Sequence, residues 1–244
     1  MERGQLGEGR RALERRVGLR RLALIVTAAA ALAFPGTAAA LERITSPFLL
    51  EYSSPTYVVD QGELVVFENR DPFLVHGLSS DATVAGGPLF SAPVLPRGQV
   101  RLVRGVSFLQ GSGTAFRFRD PAHPGMTAEL VIGPAGVPLP PDAIPPAAGV
   151  RIRSGGLGRV SRTGVLRLLL RPSEPVDATV VAKLGGRRLG RTERTYVAPG
   201  RYGLRLRIGT GRLRGRTSAK LRVVVGLSDV AGNLATARAA RRLG

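Results

Sequence analysis

Cysteine is absent from this chain of 244 residues, and so is tryptophan. Without cysteine there is no disulfide, no thiolate nucleophile and no thiolate metal ligand. In an exported chain, missing disulfides point to a bacterial envelope rather than a eukaryotic extracellular setting. Lysine is nearly absent too. Lys183 and Lys220 stand alone, and every other basic residue is arginine, which reads as genomic base bias rather than chemistry. A nucleophile elbow of the Gly-x-Ser-x-Gly type is also missing. Ser79 and Ser80 lie near His76, and Gly111-Ser112-Gly113 has the small residues, but neither has the strand-to-helix context that hydrolysis needs. The expectation is therefore a binding or structural protein, not an enzyme.

No long helical period appears after the N-terminus. Glycine (32) and proline (18) are frequent, which favours short strands joined by turns. The N-terminus itself reads as an export signal. Arg15, Arg16, Arg20 and Arg21 form a basic region, Leu22 to Phe34 an apolar stretch, and Ala38-Ala39-Ala40 a cleavage site, with the cut expected after Ala40. The apolar stretch is about a dozen residues, short of the ~20 that a spanning helix requires. Arg15-Arg16 and Arg20-Arg21 are also twin-arginine pairs, although plain charge of the basic region accounts for them. The expected location is the bacterial cell envelope, periplasmic or extracellular.

Charge divides the remainder. The formal net charge is +19 overall. Residues 41–148 hold seven basic and ten acidic side chains, whereas residues 149–244 hold 22 basic and four acidic ones. Such unlike halves support a boundary between them. Pro134, Pro138, Pro140, Pro141, Pro145 and Pro146 mark it as a stiff, extended linker. The domain expectation is a signal over 1–40, a β domain over 41–133, a linker over 134–149 and a basic β domain over 150–244.

Within the first domain, Leu64-Val65-Val66-Phe67 reads as a buried strand and Phe73-Leu74-Val75 leads to His76. Phe116-Arg117-Phe118-Arg119 alternates as a half-buried strand does. It runs into Asp120-Pro121-Ala122-His123-Pro124-Gly125-Met126, where a carboxylate, an imidazole and a thioether recur at steps of three. These are metal-ligand types. Both histidines of the chain and its one internal methionine fall in these two segments. Singly, each has a plain structural account: His76 as a buried histidine bonded to backbone, Asp120 as a turn residue before Pro121, Met126 as core filler.

Taken in order, Asn69-x-Asp71, His76, then Phe-x-Phe-x-Asp120-x-x-His123-Pro-x-Met126 resembles the cupredoxins, the plastocyanin and amicyanin group of blue-copper proteins. The resemblance spans roughly residues 45 to 133, including Gly62–Phe67 and the closing run Ala128-Glu129-Leu130-Val131-Ile132. It implies a Greek-key β-sandwich with His76, Asp120, His123 and Met126 as the metal ligands. The family's ligand cysteine is Asp120 here, so the implied site is non-blue. Copper is the implied metal, with zinc second, since N/O donors favour Cu(II) in the usual affinity order. The implied roles are copper binding and storage or slow electron transfer, with a redox or copper-delivery protein as partner. The other reading is a metal-free structural or adhesion protein built from two β-sandwich modules.

The second domain alternates arginine with apolar residues, as in Leu204-Arg205-Leu206-Arg207-Ile208. Gly185-Gly186 signals a hairpin. Its Asp229-Val230-Ala231-Gly232-Asn233 turn resembles that of bacterial immunoglobulin-like modules. Nucleic acid is not expected as a partner: the chain looks exported, and Tyr196 and Tyr202, its only aromatics, make no stacking platform. Solvated strand faces account for the arginines, and attachment to anionic cell-envelope polymers is the functional alternative.

Overall fold

The computed structural model describes residues 41–244. The export signal, its cleavage site and the twin arginines fall on residues 1–40, outside the described residues. From Leu41 onward the chain is almost wholly β, as the glycine, proline and alternation pattern led one to expect.

Ten strands build the first half. They are β1 (Leu41–Ser46), β2 (Thr56–Gln61), β3 (Leu64–Asn69), β4 (His76–Ser80), β5 (Thr83–Val84), β6 (Gly87–Pro88), β7 (Ser91–Leu95), β8 (Val100–Leu102), β9 (Ala115–Arg119) and β10 (Thr127–Gly136). Eight of them form two facing sheets, β1-β3-β8 and β2-β10-β9-β4-β7, while β5 and β6 make a small ribbon. β1 runs parallel to β3 and β2 runs parallel to β10, and the remaining pairs are antiparallel. Between the sheets lie Ile44, Val59, Phe67, Leu78, Phe90, Phe118 and Leu130, all essentially without solvent exposure. The alternation in β9 does what its sequence implies: Phe118 is buried, and Arg117 and Arg119 face water.

Two of the pairings position the site. β4 and β9 are antiparallel with Ser79 opposite Arg119, so the start of β4 lies beside the loop that follows β9. On its other side β4 pairs with β7, where His76 faces Leu95 and Leu78 faces Ala92. Two steps on β4 thus match three on β7, a bulge in the edge strand, while His76 and Leu78, two residues apart, share the buried face of β4. Pro93 falls within the bulge, on an edge strand, where its missing N–H interrupts no ladder.

The second half is another two-sheet sandwich. β11 (Ala148–Ile152), β12 (Val165–Pro172) and β15 (Tyr202–Arg207) form one sheet in the order β11-β12-β15. β13 (Val176–Leu184), β14 (Arg187–Tyr196), β16 (Ala219–Ser228) and β17 (Leu234–Leu243) form the other, in the order β14-β13-β16-β17. Leu166, Leu168, Leu170, Val180, Leu206, Val223 and Val225 fill the space between them. Gly185 and Gly186, at φ 55° and 82°, make the two-residue turn of the β13–β14 hairpin. Both positive φ values are what a type I′ turn needs. One short helix, α1 (Leu157–Thr163), buries Leu157 and Val160 and ends on Gly164 at φ 63°, a left-handed cap.

Residues 134–149 begin inside β10 and end inside β11. Between them the Leu139 N–H donates to the Ser107 carbonyl at 2.8 Å. Elsewhere Val66, Leu102 and Val230 share a small apolar cluster that joins the two sandwiches. Polar contacts surround it. The Thr195 hydroxyl lies 2.7 Å from the Val100 carbonyl and 2.6 Å from Asp177, and Arg101 pairs with Glu193.

Candidate metal centre

The site is assembled from two loops and the first residue of β4. Asn69, at the end of β3, is fully buried and pins the first loop. Its amide donates to the carbonyls of Leu95 (2.7 Å) and Leu74 (2.9 Å), and its Oδ1 accepts the Asp71 N–H at 2.8 Å. Asp71 then folds the loop on itself. Its Oδ1 accepts the N–H groups of Phe73 and Leu74 at 2.7 and 3.0 Å. Its Oδ2 is left for the His76 Nε2, 3.2 Å away.

The second loop is closed by its own backbone. The Asp120 N–H donates to the Met126 carbonyl (3.0 Å), the His123 N–H to the Asp120 carbonyl (3.2 Å) and the Met126 N–H to the His123 carbonyl (2.9 Å). These turns hold Asp120 and His123 on one side. Asp120 Oδ1 accepts the N–H of Ala122 at 2.9 Å and, across the β4–β9 junction, that of Gly77 at 3.1 Å. Asp120 Oδ2 is the meeting point. His76 Nδ1 approaches it to 2.7 Å and His123 Nδ1 to 2.9 Å, with the two rings 5.0 Å apart. His76 and Asp120 have no exposed surface, while the His123 side chain retains 26%.

Of the four sequence candidates, His76, Asp120 and His123 thus come together as a group able to hold a metal ion. Met126 closes the loop through its backbone, and its side chain is buried in the first core with Phe118 and Leu130. One participant escaped the sequence reading. Asp71 supplies the carboxylate behind His76, and its contact with Nε2 orients the imidazole. Its signal was the Asn69-x-Asp71 spacing ahead of His76, but the sequence shows nothing of which Asp71 oxygen turns toward the ring.

Burial pushes both carboxyls up, and the hydrogen bonds they accept outweigh it. Asp120 is held below the usual aspartate range by His123, His76 and the N–H groups of Ala122 and Gly77. Asp71 is held low by the N–H groups of Phe73 and Leu74 and by His76. Both are therefore carboxylates at neutral pH, and they face His76 from its two ring nitrogens. A neutral imidazole has a single N–H. Serving both contacts takes one further positive charge, either a second proton on the ring or a metal ion at Nδ1. The chemistry of the donor set thus fits a divalent cation shared by His76 Nδ1, Asp120 Oδ2 and His123 Nδ1.

No protein-family profile and no curated protein matches the chain. Solved structures do. A purple cupredoxin from Nitrosopumilus maritimus is similar over 38% of this chain and 99% of its own, at 19% identity and a TM-score of 0.30. Dithionite-reduced auracyanin from the photosynthetic bacterium Roseiflexus castenholzii is similar over 38% of this chain and 97% of its own, at 16% identity and a TM-score of 0.32. A reduced Cu(I) form of an amicyanin variant is similar over 40% of this chain and 86% of its own, at 19% identity and a TM-score of 0.31.

Proposed function

We propose that the chain is an exported copper-binding protein of the cell envelope whose first sandwich holds Cu(II) at a non-blue site. The observation that carries this is the convergence of His76 Nδ1 and His123 Nδ1 on the single oxygen Asp120 Oδ2 at 2.7 and 2.9 Å. Two imidazoles and a carboxylate favour Cu(II) among divalent ions, with zinc next. His76 and His123 supply the nitrogens and Asp120 the anionic oxygen. Met126, at the end of the same loop, is the soft fourth candidate. When bound, copper would supply one-electron chemistry. Asp71 orients His76, and the closed loop 120–126 holds the other two groups in place. Without a thiolate the metal lacks the covalent sulfur bond behind rapid transfer and intense colour. Storage, delivery or slow electron transfer is the role that follows, rather than catalysis of a reaction.

An exposed apolar patch supports a protein partner for that exchange. Phe73 (79% exposed) and Val75 (45%) lie on the segment between Asp71 and His76, and the Phe48 ring meets Phe73 edge-on at 6.2 Å. The second sandwich carries the basic faces. Arg167 and Arg205 stand directly opposite one another on β12 and β15, both exposed. Like charges so placed repel, and an anionic envelope polymer would relieve that repulsion.

A second reading is a metal-free structural or adhesion module. What favours it is that Asp120 already satisfies both histidines by hydrogen bonds. Titration of residues 41–244 with Cu(II), followed by electron paramagnetic resonance, separates the two. The copper reading expects one ion per chain with nitrogen couplings, lost in His76→Ala and His123→Ala. A folded chain that binds no stoichiometric copper establishes the metal-free module.

A further inference from the structure

We propose a second metal site, for a hard divalent cation of the calcium class, where the proline-rich connection meets the second sandwich. Asp142 lies on that connection, Glu174 in the turn between β12 and β13, and Asp229 directly after β16. One carboxylate oxygen from each falls within 4.8 Å of the other two. That is the spacing spanned by oxygens sharing one cation at about 2.3–2.6 Å.

The atom that points to a ligand is Asp229 Oδ2. Asp229 is 1% exposed, and its Oδ1 accepts the Asn233 N–H at 2.8 Å. Its Oδ2 is buried without any hydrogen-bond partner. Native folds rarely leave a buried carboxylate oxygen so, and a bound ion or a water is what such an oxygen ordinarily meets. Arg104 lies beside the Asp229–Asn233 turn with its Nε buried and unpartnered, but it makes no ion pair with Asp229. Residues 149–244 carry 22 basic side chains, yet among the described residues none reaches ion-pair distance of Asp142, Glu174 or Asp229. The other two acidic residues of that half are partnered: Glu193 by Arg101 and Arg191, and Asp177 by Thr195 and the Leu102 N–H. Burial and the charges of Asp229 and Asp142 push the Glu174 carboxyl above its usual range, so bringing the three groups together is unfavourable until a cation offsets their charge.

The donor set decides the class of ion. Three carboxylates without nitrogen or sulfur suit calcium rather than copper or zinc. Three separate segments supply them, and the Asn233 amide holds the connection in place by donating to the Asp142 carbonyl at 3.0 Å. A bound ion would therefore fasten the connection to the second sandwich, independently of the histidine site.

The test is calorimetric titration of chelator-treated residues 41–244 with CaCl2, paired with thermal melts. One calcium per chain is expected. At a hundredfold excess over Kd the melting temperature should rise by about 5–10 °C. Asp142→Asn and Glu174→Gln should each weaken binding by roughly tenfold or more, since ligand charge sets calcium affinity. Both lie at the partly exposed side of the group, so these variants should still fold. His123→Ala should leave the calcium response intact, which distinguishes the two sites. Absence of binding heat and of a melting shift overturns the proposal, as does a calcium response that survives Asp142→Asn combined with Glu174→Gln.

Discussion

At the residue scale, Asp120 sets the chemistry of one loop. A carboxylate is short, hard and able to accept from two imidazoles and two backbone N–H groups at once. The change Asp120→Cys should place a thiolate beside the two histidines, and copper loading should then produce an intense visible absorption band that the parent lacks; a colourless copper-loaded variant would show that the loop cannot deliver sulfur to the metal. Asp71 acts from behind His76. Asp71→Asn keeps the Oδ1 that accepts the Phe73 and Leu74 N–H groups but removes the charge facing His76. Copper affinity should fall about 10–100-fold, with little change in the melting temperature. Acid should expose both carboxylates. Their folded pKa values are depressed, so the unfolded chain takes up protons at higher pH than the folded one. The stability they contribute is complete above the ordinary aspartate value of about 3.9 and is lost as pH falls below it. Urea midpoints measured downward from neutral pH should drop in that window, and the drop should flatten in Asp71→Asn combined with Asp120→Asn.

At the scale of the element, β9 links the core to the site. Phe118 is fully buried and meets Tyr52 at 4.9 Å and Phe90 at 6.1 Å between ring centroids. Two residues later the same strand releases Asp120. Phe118→Ala should cost about 3–5 kcal/mol in urea unfolding, because a large aromatic leaves a cavity that the sheets cannot close. The turn between β2 and β3 is equally constrained. Gly62 has φ 78°, and a Cβ there would come within 2.1 Å of the Val137 carbonyl oxygen. Glycine is required both by the left-handed backbone and by the approach of the connection that follows β10.

For the whole molecule, the described residues 41–244 belong to one compact unit. The joint is small: Val66, Leu102 and Val230, ringed by the Thr195, Asp177 and Arg101–Glu193 contacts. Val230→Asp would bury a charge without a partner at this seam. Scanning calorimetry should then show the single parent transition split into two, one for each sandwich. A variant that still unfolds in one step would mean that cooperativity passes through the proline-rich connection instead.

Short-range pattern was enough to determine the all-β class, the β9 strand and the Gly185-Gly186 hairpin. In each case neighbouring residues carry the information: alternation sorts Phe118 inward and Arg117 outward, and paired glycines permit positive φ. The candidates His76, Asp120 and His123 were legible too, because the chain has only two histidines and one of them lies three residues from Asp120. The strand β1 was not, since Leu41–Ser46 has mixed polarity and is held by direct parallel pairing to β3, which follows β2 in the chain. Helix α1 escaped because only Leu157 and Val160 face inward in seven residues. Nor does the sequence show Asp71 turning behind His76, the seam between Val66 and Val230, or the gathering of Asp142, Glu174 and Asp229. Those contacts join residues whose partners are set by register and by the packing of two sandwiches. Only the tertiary structure decided them, because proximity across folded segments is not a property of any local stretch of chain.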